Sequence, residues 1–228
     1  MAGGIRLRAA TLPNLRDPAA VAPPLEGSQS WWWLAAVLAG GAVLAGWLDP
    51  RQLDWQPSLA LTQPWRCWSA AWVHWSEGHR WANIVGTLLV GALGWRAHCD
   101  RLDTLAWFVA WPLTQLGLLL QPALAHYGGL SGVLHAGVVV ASVSLLQRER
   151  GLRRALGAAI LLAVALKIGL EHPWQGVLHK VAGWDIAIAP GAHLSGALMG
   201  TCCALAATFW RRRSSPLRQS SGSFDDRA

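Results

Sequence analysis

Apolar residues gather into six long runs separated by polar connectors: Trp31–Leu48, about His79–Trp95, Thr104–Leu120, Gly128–Leu146, Leu152–Leu170 and Ala187–Trp210. Each reaches or approaches the ~20 apolar residues that a helix needs to cross a bilayer. The pattern predicts an all-α, polytopic membrane protein of six spans (residues 31–210), with Pro112 placed to kink the third. Trp31–Leu48 is longer than the apolar part of most signal peptides, lies late and ends at Asp49-Pro50, so it reads as a retained span. The connector 49–78 holds Trp55, Trp65, Trp68, Trp72 and Trp75. Tryptophan prefers the membrane–water interface, which puts this connector partly at the outer surface. Residues 1–30 hold Pro, Gly, Ser and three arginines with no apolar run, and 211–228 open on Arg211-Arg212-Arg213 and end in polar residues; both read as flexible tails. Repeats of 20–50 residues are not visible.

Composition strengthens this picture. The 228 residues are 53% hydrophobic and only 14% charged, with 16 tryptophans. The net charge of +7 could suggest nucleic acid, but the positive residues cluster at the ends of the apolar runs, where they set topology, so no nucleic-acid partner is expected. With a cytoplasmic N-terminus, only Arg51, Arg66, Arg80, Lys167 and Lys180 of the 19 Lys and Arg fall outside. That asymmetry argues for both termini in the cytoplasm, tails included. Cys67, Cys99, Cys202 and Cys203 lack metal spacing and read as small core residues. No metal or cofactor is expected.

Topology fixes heights. Ser131 to Leu146 is about 23 Å of helix; His193 to Trp210 and His79 to Arg96 are about 26 Å each. Ser131, His193 and His79 therefore share one depth near the outer edge of the hydrocarbon, where polar residues tend to be functional. Gly128, Gly132 and Ala136 repeat every four residues on the fourth run, as do Ala192, Gly196 and Gly200 on the sixth. Such faces let helices approach closely. The chemistry that fits is a serine nucleophile with a histidine base. The plainer alternative is helix packing alone, with Ser131 bonded to a backbone carbonyl. No Asp or Glu lies on either helix, so a hydrolase here would use a Ser–His dyad without an acid from them. His135, one turn after Ser131, is a rival base or a ring-stacking partner. Lys167 is a second rival, better read as the ion-pair partner of Glu171, four residues on. His79 and Asn83 share one helix face and, with the Ser131 amide, could stabilise an oxyanion; otherwise they bind helices together.

These residues resemble the rhomboid intramembrane serine proteases. The resemblance rests on Trp65-Arg66 in the connector, His74 and His79-x-x-x-Asn83 entering the second span, Gly129-Leu130-Ser131-Gly132 on the fourth, and Ala192-His193-x-x-Gly196-x-x-x-Gly200 on the sixth. It covers residues 31–210. It implies a six-helix rhomboid-like bundle with a water-filled cavity open to the outside. Ser131 is then the nucleophile and His193 the base; His79, Asn83 and the Ser131 amide form the oxyanion site. Within the family the chain is most similar to rhombosortases, on its compact size and on His135, where rhomboids often carry an aromatic ring packed on the base. That likeness implies a multi-pass protein of the bacterial inner membrane that cuts membrane-anchored exported proteins near a C-terminal Gly-Gly tail. An inactive rhomboid-like protein that holds client helices is the alternative, although such relatives usually lose the Ser or the His. A small transporter would need paired charges along a path, and only Lys167 and Glu171 qualify. His74-Trp75-Ser76-Glu77-Gly78-His79 lacks the spacing of a zinc-protease helix. Loop 171–189, with Trp174 and Trp184, is placed to gate substrate entry.

Overall fold

The computed structural model describes residues 26–214. Eight α-helices lie among them: α1 (Glu26–Leu44), α2 (Pro50–Leu53), α3 (Arg66–Ser69), α4 (Glu77–Arg96), α5 (Arg101–Leu116), α6 (Ser131–Arg148), α7 (Gly151–Leu170) and α8 (Pro190–Ser214). A two-residue antiparallel pair, β1 (His179–Lys180) and β2 (Ala187–Ile188), joins α7 to α8. Three of the helical stretches, Ser28–Trp47, α6 and α8, are long and apolar enough to cross a membrane by length and hydropathy.

The tails expected at 1–30 and 211–228 lie outside the described residues, except where the end helices run into them. α1 begins five residues before Trp31, and Ser30 there shares a 2.9 Å hydrogen bond with Thr104 of α5. α8 continues through Arg211, Arg212 and Arg213. Basic side chains in a last turn complement the helix dipole, and Arg211 also reaches Asp100 and Asp103.

Capping sets the helix starts. Ser76 caps α4 by accepting from the His79 amide, and Asp100 forms a capping box with Asp103 at α5. Pro190 opens α8, where a missing N–H costs nothing.

Packing works by pressing tryptophan onto glycine. A Cβ on Gly94 would lie 2.1 Å from Trp31, one on Gly91 2.6 Å from Trp32, and one on Gly137 2.6 Å from Trp107. Each of these indoles needs a flat, side-chain-free patch of helix. The Trp31 and Trp107 indole N–H groups donate to the carbonyls of Val90 and Val133, so the burial leaves them satisfied. The two rings meet at a centroid distance of 4.5 Å. α6 is the central helix, 67% buried against 28% for the α1 stretch and 33% for α8.

Charges gather at the end of the bundle remote from Ser131. Arg148 of α6 and Arg211 of α8 both pair with Asp100 and Asp103. At the other end the connector folds inward, more than its tryptophans suggest. Trp65 and Trp75 are exposed, but Trp55 is fully buried. Arg66 is also buried; it donates to the carbonyls of Arg51 and Asp54 and pairs with the Asp54 carboxylate at 3.0 Å. The second oxygen of Asp54 holds His126 at 2.6 Å, and Trp55 bridges to Tyr127 through two backbone hydrogen bonds. The connector thereby fixes the loop that delivers Ser131.

Candidate active site

Ser131 is the first residue of α6, three residues later than the apolar run predicted. The chain turns into the helix at Gly129, whose φ of +139° is accessible to glycine and strained for residues with a Cβ. A Cβ there would also sit 2.9 Å from the His79 ring. The first amides of a helix have no partner within it, so the N–H groups around Ser131 are donors at the favourable end of the dipole.

His193 enters on the first turn of α8, and small residues bring it to the serine. A Cβ on Gly196 would lie 1.9 Å from the Gly132 carbonyl oxygen, one on Gly132 2.7 Å from that of Ala192, and one on Gly200 2.7 Å from Ala136. The predicted contact of the two small-residue faces is therefore present, except that Gly128 packs on Val73. His193 Nε2 lies 2.9 Å from Ser131 Oγ.

The rival groups adjoin this pair through other atoms. His135 Nδ1 donates to the Ser131 carbonyl at 2.7 Å, and its ring stacks on that of His193 at 4.3 Å and 18°. Lys167 pairs with Glu171 Oε1 at 2.5 Å, as its spacing predicts. The other Glu171 oxygen, Oε2, is 2.6 Å from His193 Nδ1. That contact was missed from the sequence, because a search for an acid on the helices of Ser131 and His193 passes over the end of α7. Burial alone would raise the Glu171 carboxyl; the His193 hydrogen bond and then Lys167 outweigh it and hold it at about 2.

His79 and Asn83 are buried and line the same cavity as Ser131. His79 meets His74 edge-on at 4.8 Å, and its Nδ1 has no hydrogen-bond partner among the described residues. Asn83 Nδ2 donates one hydrogen to the His79 carbonyl at 3.0 Å, leaving its second donor uncommitted. Burial first, then the neighbouring His79, pushes His74 down to about 3 despite a bond to the Trp72 carbonyl, so it is neutral at physiological pH. Tyr127 is a second residue the sequence did not single out. Its hydroxyl donates to the Gly129 carbonyl at 3.2 Å and neighbours the Ser131 side chain and the Gly132 backbone. Burial drives that phenol up to about 12 against those bonds, so it remains a donor.

The cavity has a volume of about 840 Å³. The 171–189 segment contributes Glu171, His172, Leu178 to Val181, Trp184 and Ile186 to Ala189 to its wall, whereas Trp174 does not line it. Asp185 in that segment accepts from Ser76 Oγ at 2.8 Å, tying the loop to the start of α4. Among the described residues, no group of three or more His, Cys, Asp or Glu is arranged to hold a metal ion.

The family model of the Rhomboid domain matches residues 61–210, about two thirds of the chain, and spans every residue of the cavity named here. No curated protein matches.

Proposed function

From the premise that this chain belongs to the rhomboid family, whose members are generally intramembrane serine proteases, we propose that it is an active serine endopeptidase working through Ser131 and His193. The observation that carries this reading is the 2.9 Å contact between His193 Nε2 and Ser131 Oγ inside a largely apolar cavity that His79, Asn83 and Glu171 also line. His193 takes the hydroxyl proton as Oγ attacks the scissile carbonyl carbon. The tetrahedral oxyanion forms beside the free amides at the start of α6, with His79 and Asn83 as further donors. His193 then returns the proton to the leaving amine, and water repeats the cycle on the acyl-enzyme. His135 supplies the stacking face, and His193 is the base because its Nε2 holds the Ser131 hydroxyl.

The substrates are membrane proteins. We assign them to anchored exported proteins cut near a C-terminal Gly-Gly tail, as in rhombosortases. Glycines favour this choice, since a helix must unwind to reach Ser131 and glycine lowers that cost by ~1 kcal/mol per residue. The membrane part comprises six spans, α1 and α4 to α8. The bacterial inner membrane would hold them with both termini inside, the Asp100–Arg148–Arg211 end on the cytoplasmic side and the cavity facing out. A client-binding role without catalysis is favoured by no particular contact.

The test is reconstitution of the full chain in liposomes with a single-span, Gly-Gly-tailed reporter. Ser131→Ala and His193→Ala should each abolish cleavage, and a fluorophosphonate should label Ser131 in the wild type only. Cleavage that persists in Ser131→Ala would end the reading of Ser131 as the nucleophile.

A further inference from the structure

The acid that the dyad reading lacks stands at the end of a third helix. Glu171 caps α7, its backbone N–H fixed on the carbonyls of Lys167 and Ile168. Its carboxylate uses one oxygen for each of two partners: Oε1 faces Lys167 Nζ at 2.5 Å, and Oε2 faces His193 Nδ1 at 2.6 Å. The opposite nitrogen of the same ring faces Ser131 Oγ at 2.9 Å. A helical i,i+4 ion pair accounts for the first contact alone. Nothing about that spacing aims the second oxygen at a ring on α8.

The contacts decide where the imidazole proton sits. An ionised carboxylate only accepts, so Nδ1 must carry the hydrogen that bridges to Oε2. Nε2 is then left with its lone pair toward the Ser131 hydroxyl, which is the form a general base needs. Lys167 Nζ also lies 3.4 Å from His193 Nδ1. Were Glu171 absent, that ammonium would donate to Nδ1, force the proton onto Nε2 and turn the base away from the serine. We propose that Glu171 is a positioning residue that completes a Ser131–His193–Glu171 triad, holding His193 in the reactive tautomer against the competing Lys167. This inference rests on the Ser–His reading above. In the attack step the Oγ–H bond breaks and its proton moves to Nε2; the Nδ1–H bond stays intact. Glu171 stays ionised throughout and balances the imidazolium.

The test uses the full chain in liposomes, reading the second-order rate of Ser131 labelling by a fluorophosphonate together with kcat and KM on the Gly-Gly reporter. Glu171→Gln and Glu171→Ala should lose about 10²- to 10⁴-fold in labelling rate and kcat, with KM unchanged, as removal of the orienting acid of a triad does. Glu171→Asp should retain more activity than either. Formate should restore Glu171→Ala at least ~tenfold but leave His193→Ala dead, a rescue expected of a missing carboxylate at a buried acceptor site. Lys167→Met alone should stay within a few-fold of wild type, and adding it to Glu171→Ala should raise activity by removing the wrong donor. Should Ala perturb folding, Glu171→Gln, which keeps the side-chain shape, carries the test by itself. Wild-type labelling in Glu171→Gln would overturn the triad, as would equal losses in Lys167→Met and Glu171→Ala without formate rescue. Either result leaves the dyad standing if Ser131→Ala is inert, whereas an active Ser131→Ala refutes the Ser131–His193 reading itself.

Discussion

Each face of the His193 ring system has its own neighbour: Ser131 at Nε2, Glu171 at Nδ1 and the His135 ring across one flat side. The stack locks the ring plane, and rotation about χ2 would break both hydrogen bonds. An aromatic stack contributes about 0.5–1.5 kcal/mol beyond its buried area, and each 1.36 kcal/mol is tenfold in rate. His135→Phe should therefore keep the labelling rate of Ser131 within a few-fold, while His135→Ala should lower it about 3- to 10-fold. Equal losses in both variants would transfer the role to the His135–Ser131 carbonyl hydrogen bond. The serine, the histidine and the stacking ring were all legible in the chain, because their residue types and helix positions are written there. Glu171 was not. Its partner is 22 residues away on another helix, and its local spacing explains only the lysine.

Helix contact at the site depends on missing side chains. Gly196 sits where a methyl would lie 1.9 Å from a carbonyl oxygen of α6, a rigid backbone atom that cannot step aside. Gly196→Ala must push α6 and α8 apart and should cost about 1–3 kcal/mol or more in stability, with activity lost as Ser131 and His193 separate. Gly169 on α7 meets nothing within 4 Å, so Gly169→Ala should gain ~0.5–1 kcal/mol from helix propensity alone. Denaturant unfolding in mixed micelles measures both; an undisturbed Gly196→Ala would mean that the close approach is not required. The four-residue repeat of small residues predicted this face correctly on Gly132, Ala136, Gly196 and Gly200. It assigned Gly128 wrongly to the same stripe, since the helix begins only at Ser131 and the preceding backbone is turned by Gly129.

At the scale of the molecule the two ends differ in kind. One is sewn by Arg148 and Arg211 to Asp100 and Asp103; the other holds the cavity and the folded connector. The proposed orientation makes opposite ends accessible to impermeant reagents. In a cysteine-free background, Gly176→Cys should react from the periplasmic face and Arg150→Cys only after the inner membrane is permeabilised; the reverse pattern would invert the topology. The amino-acid order alone determined that the chain is helical and membrane-embedded and which residue types could do acyl chemistry, because hydrophobic run length and residue identity are one-dimensional quantities. Tertiary structure alone decided which nitrogen of His193 meets which partner, that a carboxylate from α7 reaches it, and that buried Arg66 and Asp54, with the exposed His126, anchor the loop before Ser131. Those facts depend on the rotation and crossing of helices distant in sequence, which periodicity does not encode.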